Sequence, residues 1–330
     1  MGLRKYILKR ALYSIVLVFL VITLNFTIFM LMPGNPMMRL ANPSKFKNEE
    51  QYREQMQRFG LLDPFHVKYA KYMQSMLTFQ FGYSYVTFLP IYDEIGSRLS
   101  ITLTLVITEE IIAIALGVVF GVIAASKRGK LFDASSVLFS IITNALPVFW
   151  VGMLLLLVFA YDLHWFPSGM PYPAEWLQQG RWPSNFLVEL MIRIQHLFLP
   201  ILALVIITVG SYLLLTRASM IEVLSEDYLV TARAKGLSER KVLFKHALKN
   251  ASLPVVTQTA IAFGFMLSGA IVTEQVFSYP GLGQWIWRSI EWFDFPALQA
   301  IFFIIALCVI IANFIADLIY GVIDPRIKYG

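Results

Sequence analysis

Charge is scarce in this chain. Asp, Glu, Lys and Arg make up 15% of its 330 residues, against 58% hydrophobic. A domain with a water-facing surface carries about 25% charged residues, so the main solvent here is lipid. Cysteine is nearly absent. Cys308 alone excludes an internal disulfide and a cysteine-built metal cluster, and within its apolar run it reads as a small buried hydrophobe. His66, His164, His196 and His246 are scattered, with no His-x-x-Glu-His or similar spacing, so no metal centre is expected. Nowhere does Gly-x-x-x-x-Gly-Lys-Ser/Thr occur, so the chain has no P-loop of its own for ATP. No catalytic residue stands out either. Ser268-Gly269 lacks a base partner, and the one carboxylate pair in an apolar run, Glu109-Glu110, is adjacent in sequence, which points the two side chains about 100° apart on a helix. An intramembrane enzyme is therefore disfavoured.

What the chain has in abundance is long apolar runs. A hydrocarbon core of about 30 Å takes roughly 20 apolar residues in a helix, and runs of that kind lie at 11–32, 99–125, 134–161, 197–215, 255–273 and 297–322. About six spanning helices are expected, because a single segment satisfies its own backbone in lipid only as a helix. The fold class is thus an all-α membrane protein. The first run is too long for a signal peptide and ends in Leu31-Met32-Pro33-Gly34-Asn35-Pro36 without a small-residue cleavage site, so it reads as an uncleaved span.

The net charge of +6 follows membrane topology and is no nucleic-acid footprint. Arg4, Lys5, Lys9 and Arg10 precede the first span, and Lys127, Arg128 and Lys130 separate the second from the third. Arg217, Arg233, Lys235, Arg240, Lys241, Lys245 and Lys249 separate the fourth from the fifth, and Arg326 and Lys328 close the chain. All four groups fall on one side of a six-span drawing, which places both termini in the cytoplasm. The organisation expected is an N-terminus and first span at 1–32, an external insertion at 33–98, and a core of five spans at 99–330. External aromatics such as Trp165, Trp176, Trp182, Trp285, Trp287 and Trp292 suit the membrane–water boundary.

The stretch between the fourth and fifth spans carries the most information. Asp227 is placed as the N-cap of a short helix running through Lys235, and Gly236 supplies a left-handed stop. Ser238 then caps a second helix bearing Arg240, Lys241, Lys245 and Lys249, and Pro254 opens the fifth span. A short, stiff, exposed helix between two spans is shaped to be pushed. An ordinary basic loop remains the competing reading.

This stretch, with its Ala232-Arg233-Ala234-Lys235-Gly236-Leu237 and later Leu253-Pro254, resembles the coupling loop of ATP-binding-cassette importer permeases, and specifically the B-type subunit of dipeptide/oligopeptide permeases. Other segments carry the same resemblance in order. They are Leu61-Leu62-Asp63-Pro64, Phe81-Gly82-Tyr83-Ser84, Gly121-Val122-Ile123-Ala124-Ala125, Glu274-Gln275-Val276-Phe277-Ser278-Tyr279-Pro280-Gly281-Leu282-Gly283 and Asp324-Pro325-Arg326. The resemblance implies a type I importer permease fold and an ATPase-coupling role for Tyr228, Thr231, Ala232, Arg233, Ala234, Lys235, Gly236 and Leu237. The glutamate opening the broader importer signature is replaced here by Val230 or Thr231.

The partners implied are a second homologous permease, two ATPase subunits that bind ATP and Mg, and an external substrate-binding protein, all at a prokaryotic plasma membrane. Oligopeptides or dipeptides are the implied solutes, with oligosaccharides or nickel chelates as alternatives. An ion-conducting subunit is the competing class, but it calls for charges spread over several spans, and only Glu109, Glu110 and Asp317 lie inside the runs. Glu109 and Glu110, costly in mid-membrane, are candidates to line the pore or meet a neighbouring helix. Glu274, Phe277, Pro280 and Gly281 are candidates for an outer gate, with Pro280-Gly281 expected to form a turn with positive φ at the glycine. Asp317, with Asn313, is expected to be structural.

Overall fold

The computed structural model describes residues 3–31, 63–180 and 182–323, with side chains at 6–31, 63–176, 182–262 and 270–318. Residues 33–62 of the expected insertion, and Asp324-Pro325-Arg326 with Lys328, lie outside the described residues. The described chain is helical, and its only β pairing is an isolated bridge between Tyr83 and Pro90. In order come α1 (Leu3–Leu31), α2 (Phe65–Leu77), α3 (Ile91–Ser126), α4 (Leu131–Ala145) and α5 (Val148–Leu155), which runs on as a π-helix over Leu156–Asp162. Then follow α6 (Ala174–Gln179), α7 (Phe186–Val223), α8 (Asp227–Ala234) and α9 (Glu239–Lys241), the last continuing as a π-helix over Val242–Ala247. The chain closes with α10 (Leu248–Ala251), α11 (Leu253–Val276), α12 (Leu282–Glu291) and α13 (Phe295–Ile323).

Among the described residues, four helices are long and apolar enough to cross a membrane: Tyr6–Leu31, Ile91–Ser126, Phe186–Val223 and Phe295–Leu318. The expected third span is not one straight helix. It breaks between α4 and α5 with a bend of 98°. The cause is Pro147, which lacks the N–H that would continue the ladder and drives Leu146 into extended backbone, ψ 132°. The expected fifth span falls within α11, which at 24 residues is about 36 Å long at 1.5 Å per residue. Nor does the second span begin where the insertion was expected to end. Residues 91–98 are already the first turns of α3, started by Pro90 at its N-cap.

Packing follows close approaches along α3 and α7. The buried positions of α3, including Thr102, Leu105, Val106, Ala113, Gly117 and Gly121, recur every three or four residues and form one face. At Gly117 a side chain would stand 3.1 Å from the backbone N of Leu213, and at Gly121 it would stand 2.8 Å from the Leu213 carbonyl. Glycine at both places lets the backbones of α3 and α7 come together. At the other edge α1 lies on α13. Ile22 is fully buried there, Asn25 donates to the Gln299 carbonyl at 2.9 Å, and Arg10 pairs with Asp317 at 3.1 Å. Asp317 is thus a clasp between the first and last helices, the structural role expected for it.

Candidate functional site

The short helix α8 is seated by two side chains three residues apart, Leu229 and Ala232, which share one face. Leu229 is wholly buried, in a cluster with Val122 and Ala125 of α3, Met220 of α7, and Val242, Leu243, Ala247 and Ala251 beyond the turn. The opposite face is free. Tyr228, Val230, Thr231, Arg233, Ala234 and Lys235 are exposed. Ala232 therefore belongs to the seat and not to a contact face, and Leu237 is half-buried against the same cluster.

The ends of α8 differ in detail from the sequence expectation. The N-cap position is Glu226, with no side-chain cap, and Asp227 is the first helical residue. Its charge there meets the positive end of the helix. Lys235 is the C-cap, and Gly236 has φ +74°, the left-handed stop expected of it. Ser238 stands at the N-cap of α9 but its side chain makes no cap bond. The turn is closed instead by charge: Arg233 donates from Nη2 to Glu239 Oε1 at 3.0 Å and from Nε to Oε2 at 3.3 Å. Arg233 thereby holds the Glu239 carboxyl below its usual range. Asn250 donates to the Tyr228 hydroxyl at 2.9 Å, fixing that ring on the free face.

At the far end of α11, Glu274 is fully buried. Its Oε1 accepts from the Thr102 hydroxyl at 2.6 Å, and its Oε2 accepts from the backbone N–H of Gln284 at 2.9 Å. Thr102 Oγ1 in turn accepts from the N–H of Leu282 at 2.9 Å. The first turn of α12 has unpaired N–H groups, and a carboxylate from α11 and a hydroxyl from α3 serve them. The expected positive φ at Gly281 is not found. Its φ is −88° and ψ −167°, and the positive φ falls at Ser278, 54°. Gly281 is small for want of room, since a Cβ would stand 2.5 Å from Thr102 Oγ1 and from the Glu274 carboxyl carbon.

Glu109 and Glu110 lie in the buried face of α3, 2% and 4% exposed. Tyr212 of α7 donates its hydroxyl to Glu110 Oε1, while Thr208, one turn earlier on α7, gives its hydroxyl to the Leu204 carbonyl at 3.0 Å. Neither faces lipid. A residue lining a pore between two chains must reach the surface of its own chain. Glu109, Glu110, Glu274, Phe277 and Gly281 do not; all are buried within this one. Of the expected gate residues only Pro280 is partly open.

Sequence reasoning missed the partners. Thr102 and Tyr212 look like ordinary residues of apolar runs. Asp133 lies just before the third run, and its partner Arg217 reads in the sequence as one of the topology charges. The two form an ion pair through Arg217 Nε and Nη2, the latter at 2.9 Å.

A bundle of long apolar helices, with the short helix α8 seated against α3 and α7, is the build of a multi-pass membrane protein. Residues 117–329 match the family described as binding-protein-dependent transport system inner membrane component, and residues 3–106 match the N-terminal region of such membrane components. The chain is 36% identical over 326 residues to oligopeptide transport system permease protein AppB of Bacillus subtilis (strain 168). It is 34% identical over 337 residues to dipeptide transport system permease protein DppB, and 37% identical over 325 residues to glutathione transport system permease protein GsiC, both of Escherichia coli (strain K12). Each alignment covers 98% of this chain and 99% of the relative. The chain belongs to the binding-protein-dependent permease family. Its fold is that of an all-α, multi-pass type I importer permease.

Proposed function

We propose that this chain is one of two pore-forming subunits of an ATP-driven importer for oligopeptides or dipeptides in a prokaryotic plasma membrane. A second, homologous permease completes the pore, and two ATPase subunits dock on the exposed face of α8 through Tyr228, Thr231, Arg233, Ala234 and Lys235. An external binding protein delivers the solute. ATP and Mg are bound by the ATPases, and this chain carries no cofactor. Both termini and α8 are cytoplasmic.

The observation that carries the reading is the two-sidedness of α8. Leu229 and Ala232 fix it to the inner ends of α3 and α7, so force on its exposed face passes to two spanning helices. Peptides are favoured as solutes because the relatives are named for oligopeptide, dipeptide and glutathione transport.

The test is uptake by proteoliposomes holding both permeases and both ATPases, with the binding protein outside. Labelled dipeptide and pentapeptide uptake that needs both ATP and binding protein is the expected result. Uptake of an oligosaccharide or a nickel chelate in place of peptides would overturn the substrate reading. An ion current independent of ATP would overturn the class.

A further inference from the structure

The proposed coupling through α8 leaves open how its motion reaches the broken helix α4–α5, which touches α8 nowhere in the pattern of buried side chains just described. The structure contains a connection. Asp133, in the first turn of α4, is 4% exposed, and both of its oxygens are committed. Oδ1 accepts from Arg217 Nε. Oδ2 accepts from Arg217 Nη2 at 2.9 Å and from the backbone N–H of Gly129, also at 2.9 Å. A guanidinium fork on a carboxylate fixes orientation as well as distance.

Arg217 stands on α7 ten residues before α8 begins, and the residue before it, Thr216, is the one packed on Gly121 of α3. Farther along, Gly210 of α7 faces α4 so closely that a side chain there would stand 2.7 Å from Thr143 Oγ1 and 2.9 Å from the Ser140 Cα. Ser211 donates to Asn144 Oδ1 at 2.9 Å. Asn144 is two residues before the break at Leu146-Pro147. α4 is thus held to α7 near both of its ends, and the end near α8 is held by charge.

We propose that Asp133 and Arg217 are positioning residues that make α4 travel with α7 and α8 as one body, so that displacement of α8 is delivered to the bend at Leu146-Pro147. The proposal rests on α8 being the ATPase contact. Losing the fork would leave a buried charge without its partner and let α4 lag behind α7. ATP hydrolysis, which happens on other chains, would continue without productive bending.

Two measurements test it in the complete complex. The first compares peptide uptake per ATP hydrolysed for Asp133→Asn, Arg217→Lys and the exchanged pair Asp133→Arg with Arg217→Asp. The single variants are expected to co-purify with the ATPases, to keep binding-protein-stimulated hydrolysis, and to lose uptake per ATP by roughly tenfold, within the usual span of coupling between sites. Arg217→Lys, which keeps the charge but not the fork, should lose less than Asp133→Asn, and the exchange should recover part of the loss. Unchanged uptake per ATP in both single variants overturns the proposal.

The second measurement needs no altered pair. Spin labels at Ser135 of α4 and Ala218 of α7, both exposed, report their separation in the nucleotide-free and vanadate-trapped complexes, with Cys308 replaced by Ser. An unchanged separation supports a single body. A shift beyond about 3 Å, more than half a helical turn of 5.4 Å, overturns it even where the variants fail to assemble. Failure of the underlying reading looks different: the ATPases would not cross-link to a cysteine at Ala234 in the otherwise unaltered chain.

Discussion

Thr102 of α3 donates its hydroxyl to Glu274 of α11 at 2.6 Å, and both then serve the N-terminal turn of α12. Three elements distant in sequence meet at one buried carboxyl group. Removing a hydrogen-bonding partner from a buried polar group costs about 1–3 kcal/mol, so Thr102→Val should destabilise the permease by that order, and Gly281→Ala by at least as much because its methyl would displace the carboxyl. Tryptophan-fluorescence melts in detergent check this: both variants should melt below the parent. If Gly281→Ala melts like the parent, the crowding at α12 is not real.

At the other end, Gly236 is under conformational constraint only. With φ +74°, a side chain added there would meet nothing within 4 Å. Gly236→Val should suffer the left-handed penalty of about 1–2 kcal/mol, which Asn bears more easily. The expected outcome is weak ATPase co-purification or uncoupled hydrolysis for Gly236→Val and near-parental uptake for Gly236→Asn. Equal behaviour of the two variants would separate the backbone turn from coupling.

The Arg233–Glu239 pair predicts a pH response with a definite sign. Arg233 holds the Glu239 carboxyl below its usual range, so the pair's support is present above the ordinary Glu pKa, about 4.3. It is lost as pH falls through the depressed folded value. Both groups are well exposed, and the effect on overall stability should be small. Amide protection across residues 234–240, taken relative to the intrinsic exchange rate at each pH, should therefore be flat near neutrality and fall only below about pH 4. Glu239→Gln should be less protected than the parent near neutrality, lose that acid step, and converge with the parent at low pH.

Membrane orientation is open to labelling once Cys308 is replaced by Ser. Single cysteines introduced as Ser225→Cys, exposed beside α8, and Ser168→Cys, in the segment between the broken helix and α6, should react from opposite faces. The cysteine at position 225 should react only from the cytoplasm, where four basic groups place it. Reaction of both from one face would undo the topology.

The length and apolarity of the runs determined by themselves that this is a helical membrane protein, because lipid leaves a single segment no other way to pair its backbone. The stop at Gly236 was equally legible, since it depends on the φ available to a residue without Cβ. Local rules reached no further than local backbone. They put a positive φ at Gly281, where the finding is a glycine small enough to clear Thr102 and Glu274, 179 and 7 residues away in sequence. They likewise left Glu109 and Glu110 open between a pore and a neighbouring helix, because charge in a span is costly anywhere that leaves it unmet. Where that cost is met depends on which helix lies alongside. Only the packing of α3 against α7, through Gly117 and Gly121, brought Tyr212 to Glu110, and only α7 lying along α4 turned Arg217 from one basic residue among many into the partner of Asp133.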